Sequence, residues 1–532
     1  MQGYERGDRR LLDAAALAGH LVPAGSMFAF LAWHRAEVFP DADYADLFAP
    51  PGKARPSLPA TQMAAVMALQ VLHDYSDREA AEAVRFDVRW KVAIGAALDD
   101  PGFDPSSLVY WRNRIARSGQ PHRVSDAVRK IVEQTGVLAG RRRRAVDSTI
   151  LHDAVATQDT VTQLVSAIRR VRREVPGAAA VIAAGCTGHD YSRPGRPVAG
   201  WGDPEARQAL VSALVNDANA VVAGFAGASL GEPAASALAL LALIAGQDVE
   251  PAEGSDGTDG RWRISRREGR GAFEDRVISA VDPDARHARK RVHDRTDGYR
   301  AHLAADPQTG IITGEKLTKA AGQENSDSAA AAGFLAEEHA SRPGHEPLTW
   351  YGDSAYGTGE LRRKIGEAGD RAVIKPKTPR PSAAGKFTID DFTPDEDAGT
   401  LTCPAGITRR IPPGRAVSFG AACRGCPLRE RCTGTGSTGR TVVLHRHDRL
   451  LRGARRDWAA SKDLRKDYKT HRPNVERVVA QVATYRGRRL KLRYRGTAKN
   501  NAWLKRRTAA VNLRTLISHG LGRRDGAWIL AC

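Results

Sequence analysis

RRRRAVDSTIL, residues 141–151, is the stretch on which the fold of this chain turns. A basic lead runs into alternating, β-prone residues, so Val146 to Ile150 read as a strand with Asp147 inside it. A carboxylate in an apolar strand is costly unless it is paired or bound to a cation. Asp353 ends a second apolar run, LTWYGDSAYG (348–357), where strand gives way to turn. Glu476 lies in NVERVVAQVATYRG (474–487), which has helical period and suggests a helix over roughly 471–486. Three carboxylates brought together from two strands and a helix could hold two Mg²⁺ ions, or Mn²⁺, through oxygen donors. Such ions sit about 3.5–4 Å apart and serve phosphodiester chemistry. Taken singly, Asp147 also fits a strand-end cap, Asp353 a turn former and Glu476 an ion-pair partner of Arg472.

Outward from these acids the chain alternates strand and helix. DGYRAHLAADPQTGIITGEKLT (297–318) reads as a hairpin turning at Asp306-Pro307-Gln308-Thr309-Gly310. SAAAAGFLAEEHA (328–340) and GELRRKIGEAG (359–369) read as helices, and RAVIKPK (371–377) as a further strand. This is a mixed α/β layout with helices over a sheet. Residues 156–255 are Ala-rich and helical, an insertion between the first strand and the hairpin. Residues 1–125 read as short helices, with an S-x-x-E capping box at Ser76 and Glu79. Arg85, Arg89, Lys91, Arg112 and Arg114 stand there among aromatics, which suits either a helix-turn-helix DNA reader or a plain packing domain.

The chain has 532 residues and a net charge of +20, enough for several domain-sized units and a polyanionic partner. Residues 451–532 carry 22 Lys and Arg against 5 Asp and Glu, so most of the excess lies in this flank. That concentration points to phosphate contacts. Arg141 to Arg144 read either as a phosphate-tracking run or as a solvated one. No apolar run reaches the ~18 residues of a spanning helix, and no secretory signal is visible at the start. A cytoplasmic protein without a membrane is expected. No Gly-rich nucleotide loop is present, so nucleotide-driven work is not indicated.

Cys403, Cys423, Cys426 and Cys432 fall within thirty residues as C-x19-C-x2-C-x5-C, inside a loop-rich region at 381–450. The pattern admits a structural Zn²⁺ site, reduced buried thiols or a redox pair. His445 and His447 are alternative ligands, while Cys186 and Cys532 stand apart. His287, His293 and His302 near Asp294 lack the convergent spacing of a catalytic cluster.

The motifs RRAVDST, DGYRAHLAADPQTGIIT, YGDSAYG and YKTHRPNVERVVAQVATYRGRR together resemble the DDE transposases of bacterial insertion sequences, in the subgroup with a Tyr-Arg-Glu signature. The resemblance implies a ribonuclease-H-like catalytic domain assembled from 140–155, 270–380 and 455–520, interrupted by the helical and Cys-rich insertions and preceded by a helical DNA-binding domain. It implies Asp147, Asp353 and Glu476 as the metal-binding triad. It further implies Mg²⁺-dependent cleavage and strand transfer at element ends, on terminal inverted repeats and target DNA, by a homodimer on the nucleoid. Tyr468, Arg472, Arg477, Arg486, Arg488, Arg489 and Lys491 would contact DNA. Trp201 and Trp262, in the insertion, are candidates to stack a flipped base or to pack a core. The usual signature has two residues between Tyr and Arg and a Lys seven positions after Glu. Here three separate Tyr468 from Arg472, and Ala483 stands at the Lys position. A non-catalytic DNA-binding protein and a plain metal-dependent nuclease are the competing readings.

Overall fold

The computed structural model describes residues 1–531 apart from 5–11, 51–55, 194, 266–274, 292–293, 343, 345, 382–383 and 434–438. His293 and Cys532 lie outside the described residues.

Among the described residues, seven α-helices open the chain: α1 (Ala14–Ala18), α2 (Met27–Val38), α3 (Ala60–His73), α4 (Asp77–Phe86), α5 (Val88–Ile94), α6 (Ser106–Ala116) and α7 (Arg123–Gln134). The expected capping box forms at α4, where Ser76 and Glu79 satisfy each other's backbone amides. Strand β1 (Arg143–His152) follows. Next come α8 (Thr160–Glu174), α9 (Ala178–Gly185), α10 (Pro204–Gly224) and α11 (Glu232–Gln247), then the short pair β2 (Val249–Pro251) and β3 (Trp262–Ile264). These helices close a core of their own around Leu164, Ile168, Leu214 and Leu241. Trp262 packs against that core, and its indole N–H donates to Asn216 at 2.9 Å. Trp201 is half-exposed beneath the Arg196 guanidinium.

The main sheet combines β1 with β4 (Arg286–Arg291), β5 (Asp294–Ala305), β6 (Ile312–Lys319), β7 (Thr349–Gly352) and β8 (Arg371–Ile374). Its path is β6-β5-β1-β7-β8, with β4 also paired to β5. The β6–β5–β1 pairs are antiparallel, and β1–β7–β8 are parallel. Strand β5 crosses β1 closely at Gly298, where a Cβ would stand 2.0 Å from the Leu151 carbonyl. Only glycine fits that crossing.

Alternation along the strands assigns two faces. Val146, Ala304, Trp350 and Ile374 pack against α12 (Asp327–Ser341) and α13 (Gly359–Glu367). Ala145, Leu151, Leu303 and Tyr351 face the other way, into a core that holds Val475, Val478 and Val482 of α16 (Lys462–Ala483) and Leu504 and Leu513 of α17 (Thr497–Ser518). That same core contains Met63, Leu69, Trp90 and Trp111 from the N-terminal helices. Helix α17 packs on α3 and α7 as well as on β6. The expected boundary at residue 125 therefore falls inside α7, and the N-terminal helices share one apolar interior with the sheet.

Between β8 and α16 lies the Cys-bearing region: β9 (Thr393–Asp395), β10 (Thr400–Thr402), β11 (Thr408–Arg410), β12 (Ala416–Ser418), α14 (Arg429–Cys432), β13 (Thr441–Val443) and α15 (Asp448–Ala460). After α16 come the hairpin β14 (Thr484–Tyr485) and β15 (Arg488–Arg489), helix α17, and a closing pair, β16 (Leu521–Arg524) and β17 (Ala527–Leu530). Among the described residues no helix is long and apolar enough to cross a membrane.

Candidate active site

Strand β1 pairs with β7 in parallel, Ala145 opposite Tyr351. Continuing that register by two positions sets Asp147, midway along β1 and so not a strand-end cap, opposite Asp353, the residue that follows the last of β7. Both belong, by alternation from Ala145 and Tyr351, to the face that α16 covers. Tyr468, Arg472 and Glu476 recur every four residues along α16 and so line one side of it. The sheet and the helix thereby bring all three sequence-selected acids to one place.

Arg472 joins them. Its guanidinium lies 3.1 Å from an Asp147 carboxylate oxygen and 3.0 Å from a Glu476 oxygen, and the residue is only 5% exposed. Asp147 also accepts the Ser148 amide at 2.9 Å. Burial raises the Asp147 pKa above the usual carboxylate range; Arg472 and the Ser148 amide pull it back, while Asp353 and Glu476 push it up. Glu476 is exposed, so the cluster opens to solvent. Asp353 accepts the Ala355 amide at 2.8 Å, which holds the turn after β7. The alternative roles weighed for Asp353 and Glu476, turn former and ion-pair partner, are thus also present in the folded chain.

Tyr468 packs edge-on to Trp458 at 5.1 Å, and burial raises its hydroxyl pKa within the field of Arg472 and the three acids. Two further contacts fix α16 against the sheet. The Tyr351 hydroxyl donates to Asp467 at 3.0 Å, and the His471 ring lies 5.4 Å from that of Tyr351. Nothing local in sequence marks these partners, because they meet only through tertiary packing.

A polar layer backs the acids on the opposite face. Burial opposes the ionisation of Asp327, yet His302, Arg300 and Ser148 outweigh it and bring its pKa to about 2. The buried Tyr356 hydroxyl is raised well above its ordinary value by burial and by Asp327, Asp147 and Asp353. His302 meets Thr318 at 3.0 Å, whereas His287 pairs with Asp297, so the histidines serve separate contacts.

Of the residues expected to contact DNA, Tyr468 and Arg472 reach the acids. Arg477, Arg486, Arg488, Arg489 and Lys491 are exposed, most of them around the hairpin that follows α16. Arg489 and Lys491 border a polar groove of about 730 Å³ with His152, Asp153, Thr157, Thr296 and Asp297. The groove begins where β1 ends, and the Leu492 amide donates to the His152 carbonyl at 2.8 Å. Of the N-terminal basic residues, Arg85 and Arg89 are exposed, and several make contacts within the chain. Lys91 is buried and donates to the Asp100 carbonyl at 2.6 Å, Arg112 pairs with Asp77 at 2.5 Å and Arg89 with Asp87 at 2.6 Å. Within the Arg141–Arg144 run, Arg144 neither tracks phosphate nor lies in solvent: it is fully buried and bonded to Glu338.

The donor set Asp147, Asp353 and Glu476 is all hard oxygen, which suits Mg²⁺ or Mn²⁺. Among the described residues, no three His, Cys, Asp or Glu side chains already stand at metal-holding separations. Between Asp147 and Glu476 lies Arg472, supplying the positive charge these acids share.

Residues 409–517 match a family model described as the Transposase DDE domain, and residues 15–114 match one described as Transposase domain (DUF772). The first match includes Tyr468, Arg472 and Glu476; Asp147 and Asp353 lie outside both. No curated protein and no solved structure matches the chain.

Proposed function

We propose that this protein is a DDE transposase of an insertion sequence, cutting DNA at element ends and joining the freed 3′-hydroxyls to target DNA. The observation that carries this reading is the parallel register that sets Asp147 beside Asp353 beneath the helix bearing Glu476. The sheet order, antiparallel then parallel about a central β1, supports a ribonuclease-H-like assignment. The two transposase family matches, one toward each end, support the activity class.

Asp147, Asp353 and Glu476 would hold the divalent ions. Once bound, such ions activate the attacking oxygen and stabilise the leaving one in an in-line displacement. Arg472 is placed to exchange its carboxylate partners for a phosphate, which a guanidinium can grip through two oxygens. Tyr468, beside it, offers an aromatic face to the neighbouring nucleotide. Arg477, Arg486, Arg488, Arg489 and Lys491 would carry the duplex away from the acids. Handling two element ends calls for two copies on one DNA, acting at the nucleoid.

The test is incubation of labelled element ends and target plasmid with Mg²⁺, using the wild type and Asp353→Asn. Cleavage and joined products are expected from the wild type only. Equal DNA binding with no cutting by either protein supports a binding-only protein, and cutting without joining supports a plain nuclease.

A further inference from the structure

The Cys-bearing region is thinly cored. Between residues 381 and 450 its buried apolar cluster consists of Phe392, Leu401, Val417, Phe419, Cys423, Cys432, Val442 and Leu444. Segments of this size rarely hold themselves together by apolar burial alone and are usually stapled by a disulfide or a metal. Helix α15 ties the outside down, with Arg452 donating to the Phe392 carbonyl at 2.9 Å and to Ile389 at 2.7 Å. The inside has four cysteines.

Each of the four sits on a tight turn. Cys403 turns the chain from β10 into β11, its amide donating to the Ile407 carbonyl at 2.9 Å while the Gly406 amide returns to its own carbonyl at 2.9 Å. Cys423 closes the 3₁₀ turn Gly420–Cys423, and Cys432 ends α14. The Cys426 carbonyl accepts the Arg429 amide at 3.0 Å. Although separated by up to 29 positions, all four side chains line one cavity of about 20 Å³. A space of that size admits a single small ion or water.

Nitrogen donors stand beside the sulfurs. The Arg440 amide donates to the Cys423 sulfur at 3.5 Å, the kind of outer contact that orients a thiolate ligand. Arg429 and Arg440 both line the cavity, and Arg429 donates to the Cys423 carbonyl at 2.9 Å. His445 and His447 are engaged outside the cavity, His447 with Glu360 at 3.0 Å. The thiols ring the space without yet standing at mutual coordination distance, so binding entails rotation of the cysteine side chains.

We propose that Cys403, Cys423, Cys426 and Cys432 form a structural tetrathiolate Zn²⁺ site that staples the 381–450 region between the second acid-bearing strand and the acid-bearing helix. Four soft thiolates select zinc over the hard cations suited to the carboxylates, so the two sites would not compete for the same metal. The proposal is independent of the transposase reading and is read without DNA.

The test is elemental analysis of the full chain, purified without chelator, with Co²⁺ titration of the demetallated protein followed by visible absorption. The expected result is about one zinc per chain, lost in Cys403→Ser/Cys426→Ser, and the absorption of a tetrahedral cobalt–thiolate centre in the wild type. Zinc removal is expected to make the 381–450 region the first site of proteolysis. The proposal is overturned by a zinc content near zero in zinc-supplemented preparations, by zinc that survives the double substitution, by an iron–sulfur spectrum, or by thiol counts showing a Cys–Cys disulfide. The cobalt spectrum of the wild type decides the matter even where the double variant fails to fold.

Discussion

Asp147 illustrates what a single residue discloses and what it conceals. Its place in an apolar strand marked it in the sequence, because an isolated carboxylate there needs a partner. The identity of that partner was less legible: Arg472 lies 325 positions away and reaches both Asp147 and Glu476 only after α16 crosses the sheet. Asp153, six positions further on and just past the end of β1, carries no comparable mark in the sequence. It is buried beside Asp282 and Asp297, and burial first, then those two charges, push its pKa up to about 6, with Lys491 pulling the other way. Its ordinary value is about 3.9. A carboxyl whose folded pKa is raised binds its proton more tightly in the native state, so this group's contribution to stability falls as pH rises from about 4 to about 6. Asp153→Asn is therefore expected to unfold at a higher temperature than the wild type at pH 7, with the difference vanishing near pH 4. Thermal melts across that range check it, and an equal offset at all pH values contradicts it.

At the scale of elements, β1, the β5–β6 hairpin and α12, α13 and β8 lie where hydrophobic period placed them. Helix α16 differs: it starts at Lys462 rather than near 471. Ser461 caps it by accepting the Leu464 amide at 3.0 Å, and the first two turns are mostly polar, meeting the apolar core through Leu464 and Tyr468. Pro473 lies inside this helix rather than in its first turn. The longer helix accounts for the spacing from Tyr468 to Arg472, since four-residue steps keep Tyr468, Arg472 and Glu476 on one side. What positions the helix end is Arg507 of α17, which is 1% exposed. It donates to the Leu72 carbonyl at 2.7 Å, Val71 at 2.5 Å, Gln481 at 2.9 Å, Val482 at 3.3 Å and Thr484 at 2.9 Å, capping α3 and α16 together. Its charge meets the negative ends of both helices. Arg507→Met strands those carbonyls and is expected to cost about 2–4 kcal/mol of stability, measured by denaturant unfolding. A change below about 0.5 kcal/mol would show that water replaces the guanidinium without loss.

For the whole molecule, charge was the clearest sequence signal and the placement of the N-terminal helices the least legible. Within the basic flank Arg477, Arg486, Arg488, Arg489 and Lys491 are exposed, whereas Arg472 and Arg507 are buried. Of the N-terminal arginines, Arg112 is tied to Asp77, whereas Arg85 and Arg89 remain exposed, so both the packing and the DNA-contacting readings of these helices stay open. Apolar periodicity says that helices bury a face but not which partner covers it, so the shared core with α17 could not be read from the chain. If the groove beside β1 carries duplex phosphates, Arg489→Ala/Lys491→Ala weakens binding alike for all sequences and lowers the salt slope of log K by about 2. Titrations at several salt concentrations check this; an unchanged slope places the DNA elsewhere. The central claim is that Asp147, Asp353 and Glu476 serve one catalytic centre, and anomalous diffraction from the protein bound to an element end in Mn²⁺ addresses it most directly. The expected map holds two Mn²⁺ peaks about 3.5–4 Å apart, touched by all three carboxylates, with Arg472 moved onto phosphate. Mn²⁺ bound only elsewhere, with Arg472 still bridging Asp147 and Glu476 beside the DNA, would contradict it.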